Sequence, residues 1–219
     1  MTKDILKIIK QYNLGRLFRY WLEYNSSQVA PYHNATHCLQ VMLLARDCYI
    51  FETGKEAPRS LIIAALFHDF DHSKGFYNND RLNTERAISG FWEYILNHQL
   101  EDKIDYTEQV CVEKLIAETT WPHGVIQHLS FDKEYNADFK IQVKCLRDAD
   151  LLYWKNNVID TLINIRTESF SNLNYAICIN HSKDFLRTIK FNTKYAKQQG
   201  KLKEVIKQLE QLEQLCFYI

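Results

Sequence analysis

Leu61-Ile62-Ile63-Ala64-Ala65-Leu66-Phe67-His68-Asp69-Phe70-Asp71-His72 decides how this chain is read. Seven apolar residues run without a break into two histidines and two aspartates. A helix that is apolar all round is buried all round. Its polar tail must therefore end at a water-filled cleft or on a cation. Left unpartnered, each buried polar group would cost roughly 2–7 kcal/mol. Imidazoles and carboxylates together make a ligand set for a divalent metal.

Outward from this stretch the periodicity is helical. Only six Gly and three Pro interrupt 219 residues, so long periodic segments and few turns predict an all-α fold. Upstream, Ile5, Ile8, Ile9 and Tyr12 mark an amphipathic first helix, and Leu14 to Tyr24 a second. After Pro31 a long helix is expected to about Phe51, striped with Val41, Leu44 and Cys48. Ser60 is the expected cap of the organising helix. Downstream, a loop around Gly75 precedes a helix from about Asn83 to His98. Thr107 is the expected cap of the next helix, which ends before Pro122.

Further helices are expected from about Phe139 to Trp154, then to Phe170, and over 172–195. The last carries Leu202, Val205, Ile206, Leu209, Leu212 and Leu215 on one face. That stripe reads as a docking face, with a homodimer seam as the alternative. No repeat or linker divides the chain, so one domain is expected over 1–219.

Basic and acidic residues balance at 27 each. A neutral chain without a basic stripe gives no electrostatic case for a nucleic-acid polymer or an anionic membrane. No apolar run approaches the roughly 20 residues that span a bilayer, and the N-terminal stretch reads as a helix rather than a signal peptide. A cytoplasmic protein is expected. Cys38, Cys48, Cys111, Cys145, Cys178 and Cys216 include no CxxC pair and read as reduced core thiols.

Two more clusters carry chemistry. In Tyr32-His33-Asn34-Ala35-Thr36-His37 the histidines are four apart, so they share a face of a helical turn. His37 continues into the Val41–Leu44 stripe and points inward. His68 and His72 repeat the spacing around Asp69. In Leu146-Arg147-Asp148-Ala149-Asp150-Leu151-Leu152, two aspartates interrupt an apolar helix. Asp150, among Leu146, Leu151 and Trp154, is the better inward candidate. Asp148 is expected to pair with Arg147 or face solvent, although either could be the last ligand. His98, His128 and His181 lack acidic or histidine neighbours and read as surface or capping groups.

His37, His68-Asp69 and Asp150 together resemble the H…HD…D signature of the HD superfamily of metal-dependent phosphohydrolases. YHNATH, AALFHDFDH with the following Gly75 and Asn78, ADL at 149–151 and LIAETTWPH at 115–123 are similar to its cyclic-nucleotide phosphodiesterase branch. The resemblance implies a compact all-α HD-domain bundle, with a motif core over about 31–152 and a helical C-terminal part over 153–219. It implies hydrolysis of a small-molecule phosphoester of nucleotide type, with two divalent ions (Zn, Mn, Mg or Fe). His37, His68, Asp69 and Asp150 would hold the first ion, and Asp69 would bridge to the second. His72 would hold water or a phosphate oxygen near that second ion. A hydroxide shared by the metals would attack, and His33 would be the general acid. Asn34, Asn78 and His123 would face substrate, with Glu85 and Thr119 nearby.

Two features depart from the pattern. Ser73-Lys74 makes the turn after His72 one residue longer. The 69 residues after Asp150 hold no recognisable glutamine and aromatic pair for a purine, since Gln208, Gln211 and Gln214 lie on the polar face of the last helix. The metal centre carries over and the purine pocket does not. A nucleotidase acting on a phosphomonoester is therefore a rival expectation, as is a non-catalytic HD module that binds metal or nucleotide.

Overall fold

The computed structural model describes residues 2–73, 79–124, 133–155, 158–169 and 172–216. Among them the chain is helical throughout, with no strand. Helices α1 (Thr2–Gln11) and α2 (Gly15–Tyr24) lead through a 3-10 turn (Ser26–Val29) into α3 (Ala35–Thr53) and α4 (Arg59–Phe67). Then come α5 (Asp80–Asp102), α6 (Tyr106–Ala117) and α7 (Lys133–Leu151), which runs into a second 3-10 turn (Leu152–Lys155). The C-terminal part is α8 (Val158–Ser169), α9 (Tyr175–Thr188), α10 (Lys194–Gln199) and α11 (Leu202–Cys216).

The apolar run becomes the central helix α4, in which every residue from Ser60 to Phe67 is buried. It lies among α3, α5, α6 and α7. Full burial of each large side chain there contributes roughly 1.5–3 kcal/mol. Pro58, not Ser60, stands at its N-cap; Ser60 lies inside the helix and its hydroxyl donates to Gln142 Oε1 at 3.1 Å. The cap of α6 is likewise Asp105 rather than Thr107, its carboxylate accepting the Glu108 N–H. An ionised oxygen is the stronger acceptor at a helix N-terminus.

Helix α3 begins at Asn34, whose side chain accepts the His37 N–H at 3.1 Å, and stops at Gly54 in the left-handed region (φ +69°). The 172–195 stretch is broken: α9 ends at Thr188 and a short extended segment reaches α10. Five cysteines are buried free thiols, as the sequence suggests.

The buried apolar residues form two clusters. The larger unites α1 through α7, and the second gathers Trp154, Val158, Leu162, Cys178, Ile179 and Leu186 with Val205 and Leu209 of α11. The stripe of α11 from Leu202 to Leu212 packs in the second cluster against α9, Leu215 is exposed, and Gln208, Gln211 and Gln214 are exposed on the other side. The start of α11's stripe is thus used within the chain. No helix among the described residues is long and apolar enough to cross a membrane.

Candidate metal centre

Helix α4 ends at Phe67, and the next residues turn sharply, with Asp71 in the left-handed region (φ +57°). This turn is clamped from two sides. Asn25 Oδ1 accepts the Asp71 N–H at 2.9 Å, and Ser27 Oγ donates to the Asp69 carbonyl at 2.9 Å. From α5, Arg86 donates to the Asp71 carbonyl at 2.8 Å and pairs with its carboxylate, which also takes the Ser26 hydroxyl. Asp71 therefore serves the turn and Asp69 serves the site. Gly90 of α5 makes room for Phe70, since a Cβ there would lie 2.3 Å from its ring.

On the other side of the turn, four side chains from three helical segments converge. His37 Nε2 lies 3.0 Å from Asp69 Oδ2 and 3.1 Å from Asp150 Oδ1. His68 Nε2 lies 3.2 Å from His37 Nε2, 3.1 Å from Asp69 Oδ2 and 3.8 Å from Asp150 Oδ1. Ligands about 2.1 Å from one cation are about 3.0 Å apart at right angles and about 3.4 Å apart in a tetrahedron. The cluster has that spacing.

One orphaned atom supports the same reading. Asp69 Oδ2 is buried without a hydrogen-bond partner although two imidazole nitrogens flank it. His37 turns Nε2 to the cluster, and its Nδ1, on the other side of the ring, is buried without a partner. His68 Nδ1 meets the Ala65 carbonyl at 2.8 Å. A carbonyl only accepts, so Nδ1 carries a proton, and Nε2 faces the cluster, where it can offer a lone pair once a cation displaces a proton from it. Burial pushes the Asp69 and Asp150 carboxyls up, but the facing histidines outweigh it and hold both below their ordinary values. Burial likewise pulls His68 down, and Asp69 with Asp150 raises it well above the ordinary imidazole value. His37, His68 and Asp150 offer ligand atoms within 4.8 Å of one another, as do Cys38, His68 and Asp69. Burial raises the Cys38 thiol well above its ordinary value, which works against a thiolate ligand.

Asp148 is not part of this cluster and neither pairs with Arg147 nor faces solvent. It is fully buried and accepts from the Asn192 and Thr193 N–H groups, the Asn192 amide and the Thr193 hydroxyl, at 2.7–3.1 Å. It ties α7 to the start of α10. Arg147 instead pairs with Glu118 and donates to the Glu118 and Gly124 carbonyls.

Beside the quartet stands a second group, His33, His72 and Glu168, whose ligand atoms also lie within 4.8 Å of one another. The rings of His33 and His72 stack at 3.7 Å between centroids. His33 Nδ1 bonds Glu168, and His72 Nδ1 lies 3.6 Å from the same oxygen. The other Glu168 oxygen accepts the Tyr32 N–H at 2.7 Å and the His33 N–H at 3.1 Å. Burial lowers His33, but Asp69 and Glu168 outweigh it and raise it above the ordinary value. Burial, with the His33 charge, pushes His72 down to about 4. Sequence reading missed Glu168. It falls three residues after Ile165 and six after Leu162, an acid on the buried stripe of α8.

A cavity of about 470 Å³ opens onto both groups. His33, His68, Asp69, His72 and Asp150 line it on one side, with Asp80, Asn83, Trp121, Trp154 and Phe185 elsewhere. His123 lines it too; burial and the nearby Arg147 push its imidazole down to about 4, and its Nε2 is without a partner. Thr119 lines the wall while its hydroxyl donates to the Ile116 carbonyl at 2.7 Å. Two expected substrate contacts are placed differently. Asn34 is occupied as the α3 cap and donates to the Pro31 carbonyl at 2.9 Å. Glu85 is exposed and pairs with Arg81. Asn78 lies outside the described residues. Comparisons with protein-family models, with curated proteins and with solved structures found no match.

Proposed function

We propose that the protein is a metal-dependent phosphoester hydrolase of the HD type, acting on a nucleotide-like phosphodiester. The observation that carries this reading is His33. It stands outside the ligand-spaced quartet, in the same cavity, and is held by a buried carboxylate. A structural metal site has no use for a proton donor at that place, whereas ester hydrolysis does.

His37, His68, Asp69 and Asp150 would hold one divalent ion, and a second would share Asp69. When bound, such ions neutralise phosphoryl charge and acidify a water at neutral pH. The chain's own residues do the rest. Glu168 engages His33 Nδ1, which leaves Nε2 as the ring atom that can give a proton to the departing ester oxygen. Asp69 and Glu168 raise His33 above its ordinary value, toward the protonated state a general acid needs. Glu168 also holds the Tyr32–His33 backbone, so the acid cannot drift from the cluster. His72, kept neutral and stacked on His33, can accept from water or hold the phosphoryl group near Asp69.

His33→Ala tests the assignment. Turnover of a diester with an alkoxide leaving group, such as a 3′,5′-cyclic nucleotide, should fall about 10²–10⁴-fold, the usual contribution of a general acid, while the metal content stays that of the wild type. Loss of metal would make His33 a ligand. Unchanged turnover would remove its catalytic role.

A further inference from the structure

The two histidines of the quartet are held in different ways. His68 fixes its ring by a bond from Nδ1 to the Ala65 carbonyl at 2.8 Å. His37 turns Nε2 to Asp69 and Asp150 at 3.0 and 3.1 Å, and its Nδ1 is buried with no hydrogen-bond partner among the described residues. Metal-ligating imidazoles almost always give that second N–H to a carbonyl, a carboxylate or water. What surrounds His37 is aromatic instead. Tyr153 stands perpendicular to it, with centroids 4.6 Å apart and planes at 84°. Tyr32 lies 5.2 Å away at a tilt of 35°, and the two tyrosines meet at 5.5 Å.

A cation at Nε2 decides where the remaining proton goes. A neutral imidazole that ligates through Nε2 carries its one N–H at Nδ1, so metal binding makes His37 Nδ1 an obligatory donor in a buried place. A buried donor left without an acceptor is destabilising. The acceptor at hand is an aromatic face, the negative side of the ring quadrupole. Perpendicular rings set the edge of one on the face of the other. The imidazole is the smaller ring, so its edge reaches less far from its own centroid than a phenol edge does. Centroids at 4.6 Å, at the short end of the range of about 4.5–7 Å for aromatic pairs, fit the His37 edge on the Tyr153 face. The chain itself also places Tyr153. It follows Asp150 by three residues, where α7 passes into the second 3-10 turn, and positions three apart share a side. One short segment thus brings a carboxylate and an aromatic ring to the same imidazole.

We infer that Tyr153 is the positioning residue of His37, its ring face accepting the Nδ1–H once a metal sits at Nε2. Such a contact is weak taken singly, but here it fixes the tautomer and the orientation of a ligand that no other described group fixes by a hydrogen bond. The inference rests on the metal site proposed above and goes beyond it. It gives Tyr153 a part in holding the cation without touching it.

NMR of the imidazole N–H groups in Zn²⁺-loaded protein tests this, with His68 as the internal reference. The His68 Nδ1 proton faces a carbonyl and should resonate far downfield. The His37 Nδ1 proton, above an aromatic ring, should be shielded and lie well upfield of it. Tyr153→Leu should remove that shielding and weaken Zn²⁺ binding about tenfold or more, the usual effect of losing an outer partner of a ligating histidine. Tyr153→Phe keeps the face and drops only the hydroxyl, so it should retain both the shift and the affinity. The wild-type shift needs no variant, so a Tyr153→Leu chain that fails to fold leaves the test intact. A His37 proton as far downfield as that of His68, a shielding that survives Tyr153→Leu, or an affinity that Tyr153→Leu and Tyr153→Phe change equally would each overturn the inference. A wild-type protein that takes up no Zn²⁺ would overturn the metal site and this inference with it, and the metal content alone tells that failure from the others.

Discussion

Glu168→Gln isolates the acid from its support. Gln is nearly isosteric and keeps an oxygen for the Tyr32 and His33 N–H groups, so the loop should stay in place. What it removes is the charge facing His33 Nδ1. A hydrogen bond to a charged group contributes about 1.5–3 kcal/mol, which is about tenfold to a hundredfold in the balance between imidazolium and imidazole. Burial already works against the charged ring, so the variant's His33 should titrate markedly lower than in the wild type. The sign for stability follows. A raised His33 contributes stability that is fully present below the unfolded imidazole value, about 6.5, and lost as pH rises through the folded value. The variant should lose that contribution, with the deficit largest on the acidic side. NMR titration of the imidazole C–H signals in metal-free protein reads the first effect, and the alkaline limb of the pH–rate profile should move to lower pH with it. A His33 titration that does not move would refute the account of Glu168.

Metal binding should be proton-linked. His68 is raised well above its ordinary value in the metal-free cluster, so an incoming cation competes with a proton for the ring, and affinity should rise with pH; calorimetry in buffers of different ionisation enthalpy measures the release. Gly90→Ala should lower Tm, because its Cβ would press on Phe70 between Asp69 and Asp71; overpacking of about 1–3 kcal/mol corresponds to roughly 2–12 °C in a chain of this size, and metal affinity should weaken with it. The two aspartates of α7 should separate cleanly. Asp148→Ala leaves buried donors unpaired, costing at least about 1–3 kcal/mol, and should lower Tm with metal content intact, whereas Asp150→Ala should lose metal; thermal melts beside metal analysis compare them.

The helical fold was legible from strong local signals, and the quartet from those signals together with the resemblance to the H…HD…D signature. An unbroken apolar run such as Leu61–Phe67 has one stable place, the centre of a bundle, and the polar residues that end it must then find partners. The rest depended on contacts between distant segments. Asp71 looks like a ligand beside Asp69, and only the left-handed turn, held by Asn25 and Arg86, shows that it points elsewhere. Asp148 looks like a surface acid, yet its partners come from 44 and 45 residues away. Glu168 gave a faint sign, an acid on an apolar stripe, but its partner lies 135 residues upstream. Ser60 and Thr107 were plausible caps by composition, and neighbouring residues took the positions.

The central claim is that His37, His68, Asp69 and Asp150 form one divalent-metal site. Elemental analysis of the purified protein, beside Asp69→Ala, tests it most directly. The account predicts about one or two divalent ions per chain, lost in the variant while its helical content persists. No bound metal in the wild type, even after reconstitution with Zn²⁺, Mn²⁺, Mg²⁺ or Fe²⁺, would contradict it.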